Sequence, residues 1–127
     1  MVRVSATVVV ADDDADIRSL VSIAVSKAGL ELLASVSDGA LALAAILEHQ
    51  PDLAILDVSM PEMTGLDVCR AVRADASVGD LRILLLSASV DEQSQSIGIE
   101  AGADYFLAKP FSPRELATWL SVGKEPR

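Results

Sequence analysis

Short apolar runs alternate along the chain with longer segments in which apolar residues recur every three or four positions. The runs Thr7–Ala11, Glu31–Val36, Leu53–Leu56, Ile83–Leu86 and Tyr105–Leu107 predict strands. The segments Ala15–Ala28, Gly39–His49, Gly65–Asp75, Glu92–Ala101 and Pro113–Val122 predict helices. Strict alternation of the two kinds predicts five βα units around a parallel sheet with helices on both faces. Three of the strands are almost wholly apolar, as strands covered on both sides must be; the second and fifth carry the weaker pattern. In the first helix Ile17, Leu20, Val21, Ala24 and Ala28 form the stripe that faces the sheet, and Gly29 follows where a helix commonly closes on a left-handed residue. In the last, Leu116, Trp119 and Leu120 form the stripe, and Ser112, Pro113 and Glu115 make a reciprocal capping pattern. A polar tail, Gly123 to Arg127, follows, and no linker or low-complexity stretch divides residues 1–127 into more than one domain.

Composition narrows the function. With 127 residues, 51% hydrophobic and 23% charged, the chain is too apolar for disorder and long enough to bury roughly two-thirds of its unfolded surface. Aromatics at 3% imply an aliphatic core and no stacking platform for single-stranded nucleic acid. Nineteen acidic against ten basic side chains give a net charge of −9, which repels nucleic acid and anionic membranes alike. Any DNA-binding role would need a second domain. One cysteine, Cys69, forms no internal disulfide, and with the lone His49 it builds no Cys/His zinc cage; a reducing cytoplasm is the expected setting. No apolar run reaches the roughly 18 residues of a membrane span. The run Ala6–Ala11 ends in three aspartates and is expected to be neither signal peptide nor anchor.

In a doubly wound sheet, ligands bind beyond the carboxyl ends of the strands. The residues there are Asp12-Asp13-Asp14, Asp57, Ser87-Ala88 and Lys109-Pro110. Converging carboxylates repel each other unless a cation neutralises them, and a small set of oxygen ligands favours Mg²⁺. Lys109 would balance the remaining charge. Metal and lysine together clamp a transferring phosphoryl group, and Asp57 is placed to be the nucleophile between them. Each feature also has a plainer reading. Three aspartates in a row can be a solvated turn or a helix cap, although a calcium loop fails, with Ile17 at the sixth position and Ile23 at the twelfth. Cys69, among Leu66, Val68 and Val72, reads as packing, as do Trp119, Met60 and Met63, and His49 as an exposed helix end.

Ile55-Leu56-Asp57, then Met60-Pro61 and Thr64-Gly65, with the acidic cluster before and Ser87-Ala88 and Lys109-Pro110-Phe111 after, form an ordered set. The gaps are 44 residues from Asp13 to Asp57, 30 to Ser87 and 22 to Lys109. On these motifs the chain resembles, over essentially its whole length, the receiver domain of bacterial two-component response regulators. The resemblance implies a flavodoxin-like (βα)5 fold with strand order 2-1-3-4-5. It implies Asp57 as phosphoacceptor, Asp13 as a direct Mg²⁺ ligand, Asp12 acting largely through water, and the backbone carbonyl of Ser59 completing the metal shell. Asp14 falls where the family varies. Ser87 would turn its hydroxyl toward the phosphoryl oxygens, Lys109 would pair with them, and the Lys109–Pro110 peptide would be cis. Phe106 occupies the position of an aromatic that follows that hydroxyl inward. It has no hydroxyl of its own to hold an outward state, and Tyr105 stands where an acidic residue is commoner.

The implied chemistry is phosphoryl transfer to Asp57 from a histidine kinase, a histidine phosphotransfer protein or a small donor such as acetyl phosphate. Hydrolysis and a change on the fourth- and fifth-strand face follow, so the domain acts on itself and is not a turnover enzyme. The output domain or partner is not encoded here. Glu92-Gln93-Ser94-Gln95-Ser96 lacks the basic residues of a charge-paired dimer. Two other readings are an interaction module that keeps the fold without the chemistry and a phosphatase of the haloacid dehalogenase type. The latter needs Asp-x-Asp-x-Thr/Val, whereas Asp12 to Asp16 puts an aspartate last.

Overall fold

The computed structural model describes residues 6–123 except Val90, and leaves the side chains of residues 122 and 123 undescribed. Five strands, β1 (Thr7–Ala11), β2 (Glu31–Val36), β3 (Leu53–Asp57), β4 (Arg82–Ser87) and β5 (Tyr105–Ala108), alternate with five helices. The helices are α1 (Ala15–Lys27), α2 (Gly39–His49), α3 (Gly65–Ala74), α4 (Glu92–Ala101) and α5 (Pro113–Gly123). All neighbouring strands pair in parallel, in the order β2-β1-β3-β4-β5. The expected order and both-face covering are therefore present. The weaker apolar pattern of the second and fifth strands has a simple cause: they are the two edges of the sheet, and their residues are only partly covered.

Successive side chains of a strand point to opposite faces, and the core divides accordingly. Val9, Ala11, Ala54, Leu56, Ile83 and Leu85 pack under α2, α3 and α4 with Ile46, Val68, Val72 and Ala101. Val8, Val10, Ile55, Leu84 and Leu86 pack under α1 and α5 with Val21, Ala24, Val25, Leu116 and Leu120. Cys69 is fully buried in the first cluster, its thiol pushed up to about 12 by burial, which fits packing and no reactivity. Trp119 meets Tyr105 edge to face at 4.9 Å between ring centroids. His49 is exposed in the last turn of α2.

Helix ends follow the local chemistry. Gly29, at φ +76°, closes α1 with Leu30 N–H donating to Val25 O and Gly29 N–H to Ser26 O. Ser112 and Glu115 exchange their capping bonds at 3.0 and 3.2 Å before α5. That helix continues through Gly123, one residue into the expected polar tail, and residues 124–127 lie outside the described part.

Candidate functional site

β3 and β4 each run one residue past the apolar segment, so that Asp57 and Ser87 are themselves the last strand residues. They are held by the sheet ladder and not by loops: Asp57 pairs with Leu86, and Ser87 with Ala108. Lys109 follows β5 directly, and its N–H donates to Ser87 O at 2.9 Å. The Lys109–Pro110 peptide is cis. The start of α3 is pressed against the same edge. Gly65 N–H donates to Val58 O, and a side chain at 65 would overlap the carbonyl oxygen of Asp57, which only glycine avoids. Thr64 and Asp67 form a complete capping box there.

At this edge Asp12 is fully buried and Asp57 nearly so, while Asp13 is exposed. Lys109 Nζ lies 2.9 Å from Asp12 Oδ2 and 3.2 Å from Asp57 Oδ1. One ammonium thus bridges two carboxylates. Burial and the neighbouring Asp12 charge push the Asp57 carboxyl above its ordinary value, outweighing the lowering by Lys109 and by the Ser59 N–H. For Lys109, burial opposes the charge, but hydrogen bonds and attraction to Asp12 and Asp57 prevail and its pKa is raised. Asp12, Asp13 and Asp57 each offer a carboxylate oxygen within 4.8 Å of the others. Three carboxylates against one ammonium leave negative charge uncompensated. An all-oxygen set, open on the exposed Asp13 side, suits a hard divalent cation that keeps water or phosphate oxygens as further ligands.

Other expected residues occupy more particular places. Asp14 does not join this cluster. Its carboxylate accepts from Asp16 N–H at 2.8 Å and Ile17 N–H at 3.3 Å and caps α1, so the plainer reading of the triple aspartate is right for its third member. Ser59 is exposed, with its N–H directed at Asp57. The Ser87 hydroxyl donates to Ser89 O at 2.7 Å and accepts from Ser89 N–H at 3.1 Å, which folds it into the loop after β4. Ser89 Oγ in turn donates to Asp91 at 2.7 Å, and Asp91 caps α4 through Ser94 N–H. Phe106 is half-buried on β5.

Sequence reasoning did not single out Arg18, whose Nη1 donates to Asp12 O at 2.7 Å and ties α1 to the site. Nor did it find Gly98, which faces the Phe106 ring from α4. A glycine in the middle of a helical segment was the available signal, since it weakens the helix unless close packing demands it.

A doubly wound parallel sheet whose carboxyl edge gathers buried carboxylates around one lysine defines a flavodoxin-like protein with its candidate site at the ends of β1, β3, β4 and β5. The family model of the response regulator receiver domain matches residues 8–121, and the chain belongs to that family. It is 44% identical over 110 residues to the transcriptional regulatory protein GltR of Pseudomonas aeruginosa, covering 87% of this chain and 45% of GltR. It is 41% identical over 109 residues to the DNA-binding response regulator MtrA of Mycobacterium tuberculosis, covering 86% of this chain and 46% of MtrA. The chain thus spans less than half the length of these relatives. Among solved structures, the chemotaxis response regulator CheY4 of Vibrio cholerae superposes with a TM-score of 0.86 at 35% identity, covering 93% of this chain and 98% of CheY4.

Proposed function

We propose that residues 1–127 form one receiver domain that works as a phosphorylation switch, with Asp57 as the phosphoacceptor. The single observation that carries this reading is the Lys109 ammonium bridging buried Asp12 and Asp57 at the carboxyl edge of the sheet. An Asp57 oxygen attacks the phosphorus of a phosphohistidine on a histidine kinase or histidine phosphotransfer protein, or of acetyl phosphate. The P–N or P–O bond to the donor breaks, and imidazole or acetate leaves. Lys109, already paired with Asp57, turns its charge to the incoming phosphoryl oxygens. The Ser87 hydroxyl exchanges its bond to Ser89 O for one to a phosphoryl oxygen, and Phe106 follows it. Water later attacks the phosphorus, releasing inorganic phosphate and restoring the Asp57 carboxylate.

Asp12, Asp13, Asp57 and the Ser59 carbonyl are the residues that would hold Mg²⁺, which when bound supplies charge neutralisation for the phosphoryl oxygens. Among the described residues no helix is long and apolar enough to cross a membrane, and the proposed setting is the cytoplasm. Repulsion of nucleic acid by the −9 charge concerns this domain alone; MtrA, of which it matches less than half, is a DNA-binding protein. Treatment with acetyl phosphate and Mg²⁺ should give a single phosphoryl adduct by intact mass, absent from Asp57→Asn. No adduct at saturating donor would overturn the reading.

A further inference from the structure

Phe106 has no hydroxyl, so no hydrogen bond from its ring fixes its position. Its ring lies instead against Gly98, at the middle of α4. A methyl group at 98 would overlap Phe106 Cζ and stand 2.6 Å from Cε1 and 3.0 Å from Cε2. Gly98 is itself buried, so the absent side chain is a notch filled by the ring. On another side the ring borders a cavity of about 90 Å³, whose remaining walls are Val58, Leu66, Ser87, Ser94 and Ile97. The ring has a seat under α4 and an adjoining space that reaches the hydroxyl-bearing residue at the end of β4.

We propose that Gly98 is a positioning residue for the switch: the notch it leaves in α4 seats the Phe106 ring, and filling that notch moves the ring into the cavity shared with Ser87. This rests on the phosphoacceptor reading for its consequence, but the contact stands independently of it. The overlapping atoms are the far end of a rotatable side chain, so the ring can yield without backbone movement. Because the ring and Ser87 line one space, a change that favours the inner ring position also favours whichever ligand needs that arrangement. The coupling is reciprocal, with a bound phosphoryl mimic and a filled notch each raising the population the other selects.

The chain has two phenylalanines, so phenylalanine labelled with ¹³C at ring Cζ gives two ring resonances without adding an atom to the notch, and Phe106→Leu assigns one of them. The probe is beryllofluoride with Mg²⁺. In Gly98→Ala without beryllofluoride, the Phe106 resonance is expected where the unaltered protein reaches only with it, and the midpoint of the titration should fall at least threefold. The effect should vanish in Gly98→Ala/Phe106→Leu, which should titrate like Phe106→Leu alone. An unmoved resonance with an unchanged midpoint overturns the proposal, and so does an effect that persists without the ring. Failure of Gly98→Ala to fold also overturns it, since the ring would then have no second seat. If beryllofluoride leaves the unaltered protein untouched, the phosphoacceptor reading fails. The displaced resonance of Gly98→Ala then still tests the notch by itself, against the resonance of the unaltered protein.

Discussion

At the amino end of the sheet, Asp52 accepts the Thr7 N–H at 2.8 Å and the Thr7 hydroxyl at 3.1 Å, and Asp104 accepts the Ile83 N–H and an Arg73 N–H, both at 2.9 Å. At the carboxyl end, Asp12 and Asp57 share one ammonium and crowd a third carboxylate. The residue type is the same, and β3 has Asp52 just before it and Asp57 at its end, yet the chemistry differs. A carboxylate matched to fixed donors is a fastener: Arg73 also donates to Gly102 O and Leu81 O, so one guanidinium ties α3 to the starts of β4 and β5. Carboxylates gathered around too little positive charge stay available to a cation and an electrophile. The burial that raises the Asp57 pKa is the local cost of holding a carboxylate inside the sheet edge.

Removing the one shared cation should have the largest effect. Lys109→Ala is expected to slow adduct formation from acetyl phosphate about 100-fold or more, the scale for losing one preorganised charge that faces a transferring group. Initial rates by intact mass measure it, and a rate within threefold of the unaltered protein would show that the ammonium is only structural. At the opposite end the pattern should invert. Asp104→Ala removes the acceptor of one Arg73 N–H and of the Ile83 N–H and is expected to cost about 2 kcal/mol. For a domain of this size that is a drop in Tm of roughly 8 °C, with adduct yield unchanged below the transition. A calorimetric scan and a phosphorylation assay on one sample would separate fastener from reactant.

The smallest effect lies between these two kinds. Asp91 is exposed, and the Ser94 N–H and then the Ser89 hydroxyl hold its carboxyl below its ordinary value of 3.8. A depressed pKa in the folded state gives stability that is present above 3.8 and is lost as pH falls through the folded value. Asp91→Asn keeps a capping side chain and removes the charge. Its Tm should therefore sit slightly below that of the unaltered protein near pH 6 and converge with it in strong acid. A difference that grows on acidification would contradict this sign.

The ladder of elements was readable in the sequence because each rests on local pattern: apolar runs, three-and-four stripes, Gly29 and the Ser112–Glu115 cap. The gathering of Asp12, Asp13, Asp57 and Lys109 was readable because strand ends in a doubly wound sheet converge whatever the loops do. What escaped depends on side chains meeting across long separations. Arg73 reaches Asp104 over 31 residues and Thr7 reaches Asp52 over 45, and no periodicity announces either. Asp14 was ambiguous for a different reason. Adjacent aspartates look alike in a sequence, and only the turn into α1 decides that the third caps a helix while the first two bring carboxylate oxygens within 4.8 Å of one on Asp57.

The spacing of the site along the chain also bears on when the protein can first respond. Asp12 arrives with β1, Asp57 with β3, Ser87 with β4 and Lys109 only after β5. A chain that has paired its first three strands has crowded carboxylates and no ammonium among them. On the phosphoacceptor reading proposed above, phosphoryl uptake assisted by Lys109 therefore requires the far edge strand to have docked.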